Sequence, residues 1–451
     1  MRRFVCFLQI FVCLFALAGG VFAQEQPGPA ATSASTSTAT DVTPAINSSD
    51  PAAATRAWLD TVPADKRARS NAYFEGGYWL ILWNFVVGAA IALFLLVTRI
   101  SARLRDFAER VLPFRPLQVL LYALLYVLIT ALLGSPLYVY QNYFREHAYG
   151  LATQTFGPWL QEQLIGLVLQ LIIFPIVLIV LYAIFRRAQR SWWLWATGVA
   201  ILFMMLGMLI APVFIEPLFN KYKPLTDPAI NEPILAMARA NEIPVKQVFE
   251  VDASRQSNRV SANVAGFLGT TRIALNDNLL KQCTLPEIRE VMAHEMGHYI
   301  LNHGAKLVLY FGVFIFIGFA ATRGTFDLAV RRWGERWGVR GIADVAGLPL
   351  LSLIFGAVFF LMTPFINTAT RVTEREADAF GINCSREPDG MAKVALKLGS
   401  YRKLDPGPLE EFMFFDHPSG RARIRMAMDW KAAHLPAGGS SSTSAPGSTT
   451  P

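Results

Sequence analysis

Six long apolar runs constrain this chain of 451 residues more tightly than any other feature. They lie near 76–98, 117–140, 162–185, 192–215, 305–322 and 347–368. A helix of about 20 apolar residues crosses a bilayer. Lipid offers no water to backbone N–H and C=O groups, so such runs must be helical. Pro349 and Pro364 lie in or near the sixth run, which a bundle tolerates when neighbours satisfy the freed backbone groups. Composition agrees: 53% of the residues are hydrophobic and 16% are charged, against about 25% charged in a soluble domain. The expected fold class is a predominantly α-helical polytopic membrane protein with six or seven transmembrane helices and a further domain containing a small β-sheet, whose strands read at Val248 to Val251 and Thr271 to Leu275.

A seventh helix depends on the N-terminus. Arg2 and Arg3 precede an apolar core from Phe4 to about Ala18, and Val21-Phe22-Ala23 resembles a cleavage site. Residues 1–23 therefore read as a signal peptide, with an uncleaved first transmembrane helix as the alternative. Residues 24–70 begin rich in Ala, Thr, Ser and Pro and are expected to be disordered, as is the tail at 437–451. Between them the order is four helices over 71–215, a polar region at 216–304, two helices with a basic loop over 305–368, and a second polar region at 369–436.

The net charge of +8 does not point to nucleic acid, because the arginines sit between apolar runs rather than on one polar face. Arg99, Arg103, Arg105, Arg110 and Arg115 follow the first run. Arg186, Arg187 and Arg190 follow the third, and Arg323, Arg331, Arg332, Arg336 and Arg340 follow the fifth. All three loops fall on one side, and positive residues stay in the cytoplasm. Both polar regions then face outward, which in a bacterial inner membrane is the periplasmic side. Cys283 and Cys384, the cysteines beyond the leader, lack C-x-x-C spacing and read as ordinary thiols.

The chemistry concentrates at His294-Glu295-Met296-Gly297-His298, an H-E-x-x-H pattern. On a helix, i and i+4 share a face, so both imidazoles can reach one zinc ion. Glu295 is placed to act as general base toward water. A capping box from Thr284 and Glu287, with Pro286 in the first turn, supports the helix. A catalytic zinc takes three protein ligands. His303 is close, but the metzincin pattern requires its third histidine at position 304, which is Gly304. The better source is Glu374, with Asp378 one turn later to orient a ligating histidine. Taken alone, that stretch would read as a charged helix face.

Five stretches in one order resemble the type I CAAX prenyl proteases, integral-membrane zinc endopeptidases of the gluzincin type, and their bacterial relatives. They are Pro217 to Leu225, Arg272 to Leu280, His294 to His303, Glu374 to Asp378, and His417-Pro418-Ser419 with Arg423. The resemblance covers about residues 70 to 430. It implies seven membrane helices around an internal chamber. It also implies one Zn2+ held by His294, His298 and Glu374, with Glu295 activating water. His417 and Arg423 would stabilise the oxyanion, and Asp378 would support the metal shell. Ser261 to Gly266 falls where the family has an edge strand that pairs with substrate. The implied partners are the bilayer and a peptide or protein substrate, including membrane-associated ones. The alternative is a membrane quality-control or assembly factor with a binding role and secondary proteolysis.

Overall fold

A computed structural model describes residues 50–266 and 271–435. The expected leader at 1–23 and the tail at 437–451 lie outside the described residues. The helices are α1 (Pro51–Asp60), α2 (Ala64–Val97), α3 (Ile100–Val111), α4 (Arg115–Val139), α5 (Phe156–Arg187), α6 (Trp192–Ile210) and α7 (Pro228–Ala240). They continue with α8 (Asp277–Gln282), α9 (Leu285–Ile300), α10 (His303–Trp337), α11 (Leu348–Ser385), α12 (Pro388–Leu398), α13 (Pro408–Phe414) and α14 (Gly420–His434). The strands are β1 (Tyr222–Pro224), β2 (Val248–Val251), β3 (Ala262–Ala265) and β4 (Arg272–Asn276).

Among the described residues, six helices are long and apolar enough to cross a membrane: α2, α4, α5, α6, α10 and α11. Their facing sides bury a shared core that includes Tyr122, Phe185, Phe319 and Phe359. Their outward sides stay apolar: Trp79 is 65% exposed, and Leu132 and Leu361 are each 72% exposed. An apolar surface of that extent has lipid as its solvent. Two helices end in π turns, Tyr140–Phe144 after α4 and Ala211–Ile215 after α6.

Three expectations from the sequence need correction. Residues 50–70 are not disordered. Asp50 caps α1 by accepting from the backbone N–H groups of Ala52 and Ala53 at 2.8 and 3.1 Å, and Pro51 opens the helix. Ala54, Trp58 and Leu59 then bury against Ile424, Ala427 and Met428 of α14. The basic loop after the fifth run is mostly helix, because α10 runs on to Trp337 and carries four of its five arginines. The arginines after the first run also lie largely on a helix, α3, whose Arg105 forms a buried 2.5 Å ion pair with Asp344.

The first polar region builds a small mixed sheet in the order β1-β2-β4-β3. β1 is antiparallel to β2, β2 parallel to β4 with Val248 opposite Ile273, and β3 antiparallel to β4 with Ala262 opposite Leu275. β3 is therefore an edge. One face of the sheet packs on α7 and α9 through Ile234, Ile273, Leu275, Ile288 and Met292. Ion pairs tie sheet to bundle: Arg272 to Glu216 at 2.9 Å, and buried Arg259 to Glu146.

Candidate active site

The site is built where α9 crosses α11. The capping box expected for α9 is present, with Glu287 accepting from the Thr284 N–H at 2.6 Å. That fixes the helix start and so the face on which His294 and His298 emerge. Close approach of α11 requires Gly381, since a Cβ there would come within 3.1 Å of the His294 backbone nitrogen. Glu374 and Asp378 lie on the face of α11 that meets α9, and both are buried.

Three donor atoms converge. His298 Nε2 is 3.0 Å from His294 Nε2, and Glu374 lies 3.3 Å from His294 Nε2 and 3.6 Å from His298 Nε2. Ligands about 2.0–2.1 Å from a tetrahedral zinc stand roughly 3.3 Å apart, so this trio fits such an ion. Among the described residues no fourth His, Cys, Asp or Glu joins the trio. Three protein donors are the number a catalytic site uses, while structural sites use four. Cys283 and Cys384 are both free thiols.

A second layer fixes the first. Asp378 accepts from His294 Nδ1 at 2.9 Å and from Arg423 Nε at 2.8 Å. The Arg423 guanidinium also reaches Glu374 at 3.3 Å. His417 Nε2 stands 3.4 Å from Glu374, and its Nδ1 is 2.8 Å from Asp416. Burial works against a charged His294, yet its contacts with Asp378 and Glu374 push its pKa up to about 10. Burial holds His298 well below the ordinary histidine range, leaving it neutral and able to offer a lone pair.

His294, Glu295, His298, Glu374, Asp378, His417 and Arg423 all line one cavity of about 590 Å³. Its opposite wall comes from the bundle, including Trp159 and Glu162, and Asn263 of β3 lines it too. The cavity has room for an extended segment, and among the described residues no strand pairs with the outer edge of β3.

Three contacts escaped sequence reasoning. Asp416 backs His417, and its adjacency was the available signal. Buried Glu290, one turn before His294, accepts from the Ser385 hydroxyl of α11, and burial pushes its pKa up to about 7. His303, read only as a misplaced ligand, contacts His298 at 2.8 Å and Glu376 at 3.0 Å.

Comparisons with known proteins agree with this architecture. Residues 224–431 match peptidase family M48, and residues 49–221 match the CAAX prenyl protease N-terminal region, described as five membrane helices. A Bacillus subtilis relative described as an uncharacterized metalloprotease, YhfN, is 31% identical over 76% of this chain and 82% of its own length. CAAX prenyl protease 1 of Saccharomyces cerevisiae is 25% identical over 67% of this chain and 70% of its own. The crystal structure of Ste24p from S. mikatae shares the fold with a TM-score of 0.70 at 19% identity, covering 94% of this chain and 98% of that one. With its bundle and its H-E-x-x-H domain both matched, in order, this chain belongs to peptidase family M48 as an integral-membrane metalloprotease.

Proposed function

We propose that this chain is a zinc endopeptidase of the membrane–water boundary, acting on extended peptide segments from the periplasmic side of a bacterial inner membrane. The observation that carries the reading is the convergence of His294, His298 and Glu374 at distances suited to one zinc ion. What zinc supplies when held there is Lewis acidity, which polarises a peptide carbonyl and makes water nucleophilic at neutral pH.

The chain's own residues do the rest. β3 offers its open edge to the substrate backbone, as strand-adding recognition requires. Glu295, on the catalytic face of α9, takes the proton from attacking water and returns it to the leaving amine. His417 and Arg423 stand beside Glu374 and donate to the oxyanion as charge develops on it. Asp378 holds both His294 and Arg423 in register.

Glu295→Gln tests the mechanism. Zinc content should stay at one per chain, while cleavage of a quenched fluorescent casein falls about 10²–10⁴-fold. A variant with full activity would sink the assignment of the base. Sidedness rests on the arginines, and Glu335→Cys tests it in a chain otherwise free of cysteine. An impermeant maleimide should label it only after the inner membrane is opened. Labelling in spheroplasts with that membrane intact would put the catalytic side in the cytoplasm.

A further inference from the structure

His303 and Glu376 lie outside the catalytic set, yet they form a continuous hydrogen-bonded path to His298. His298 Nδ1 is 2.8 Å from His303 Nδ1, and His303 Nε2 is 3.0 Å from Glu376 Oε2. The same Glu376 oxygen accepts from Lys306 Nζ at 2.5 Å. His303 is 0% exposed. The Glu376 side chain, by contrast, is 43% exposed.

With His298 Nε2 as a zinc ligand, the protons on this path can be assigned in one direction only. Nε2 of His298 faces the other two donors of the trio. To offer a lone pair there, a neutral imidazole must carry its proton on Nδ1. That proton points at His303 Nδ1, which must then be bare. His303 carries its own proton on Nε2 and donates it to Glu376. The opposite assignment puts the His298 proton on Nε2, where it blocks ligation. It also sets a bare His303 nitrogen against a carboxylate oxygen, with no proton between them. Lys306, paired to Glu376, favours the ionised acceptor that selects the first assignment.

Resting on the zinc reading above, we infer that His303 and Glu376 are positioning residues that lock His298 into its ligating tautomer. His294 receives the same service directly from Asp378. His298 receives it through one intervening imidazole, because the acceptor sits on α11 and the ring between belongs to the first turn of α10. Asn302, in left-handed conformation at φ 54°, makes the bend that returns His303 beneath His298. Carboxylates behind metal-bound histidines typically contribute 10–100-fold to metal affinity.

The test measures zinc affinity of the full-length protein in detergent by competition with a fluorescent chelator, independent of proteolysis. Glu376→Gln should weaken zinc about tenfold, since an amide can donate or accept and no longer selects the tautomer. His303→Ala should weaken it about 10–100-fold. The double variant should bind no more weakly than His303→Ala alone, because Glu376 acts only through that ring. His147→Gln, which removes a histidine bonded to two backbone carbonyls, should leave affinity unchanged. If His303→Ala fails to fold, the half-exposed Glu376 decides the matter. Wild-type affinity in a folded Glu376→Gln, or additive losses in the double variant, overturns the inference. A wild-type chain that binds no zinc fails differently, by removing the metal assignment itself.

Discussion

Asp378→Asn separates the two tasks that one carboxylate performs. Asp378 accepts from His294 Nδ1 at 2.9 Å with one oxygen and from Arg423 Nε at 2.8 Å with the other. Asparagine keeps the shape but has one acceptor oxygen, so its NH2 must face one of these two donors. A buried donor left without an acceptor costs about 1–3 kcal/mol, and more when it is charged. If His294 loses, its ring is no longer oriented, and zinc affinity should fall about 10–100-fold. If Arg423 loses, the guanidinium turns to Glu374, already 3.3 Å away, and leaves the oxyanion position proposed for it. Loss of one oxyanion donor costs about 10²–10³-fold in kcat. Initial rates across a zinc titration, with chelator competition for affinity, read both effects. Weakened zinc binding with kcat recovered at saturating zinc would show that His294 lost its acceptor, and a lowered kcat at wild-type zinc affinity would show that Arg423 did. Wild-type values of both would refute the reasoning.

Zinc uptake near pH 8 should release about one proton, read as the buffer dependence of calorimetric binding heat, because His294 in the metal-free protein has its pKa pushed up to about 10. The sign follows: the proton's contribution to metal-free stability is full below the unfolded histidine pKa of about 6.5 and is lost as pH rises through 10. Absence of proton release would contradict the Asp378 and Glu374 contacts. Trp58→Ala should destabilise by about 3–5 kcal/mol, since Trp58 is buried against the α14 core. Because α14 carries Arg423, the folded fraction should also lose kcat, and an unchanged kcat would uncouple α1 from the site. Asp344→Ala removes one of the two carboxylates on buried Arg105, which keeps its 2.7 Å contact with Asp106, and should cost about 1–3 kcal/mol in thermal or denaturant stability. That pair lies on the arginine-rich side of the bundle, so activity per folded molecule should not change.

The legible parts of this protein were those encoded by local periodicity. Six helices follow from apolar length alone, and α9 from a capping box and an i, i+4 histidine pair. The convergence of Glu374 on the two histidines was reachable because its i, i+4 partner Asp378 suggested a ligand with support, and a family resemblance strengthened that choice. What stayed hidden depends on contacts distant in sequence. α1 reads as part of a polar leader until Trp58 is seen buried on Ile424, Ala427 and Met428. His303 lies five positions from His298, out of helical phase, and meets it only because Asn302 bends the chain. Glu376 points away from the metal face of α11, as its spacing from Glu374 predicts, and gains its contact from α10 instead.

Helix length explains how a membrane bundle can hold the candidate metal site beyond its apolar runs. α11 has 38 residues and α10 has 35. At about 1.5 Å per residue each exceeds 50 Å, well beyond the roughly 30 Å of hydrocarbon a span must cross. Two antiparallel helices of such length must project. α10 projects most toward its arginine-rich end, where Trp337 lies, and α11 toward its C-terminal end. Glu374 stands six residues past the apolar run that ends near 368, about 9 Å along the helix axis. The proposed third ligand is thus carried beyond the apolar run by the same rigid rod. α9, wholly outside the apolar runs, needs only to pack on that projection at Gly381 for the trio to close. The spacing of the three candidate donors therefore depends on where α9 packs along the part of α11 that runs beyond its apolar stretch.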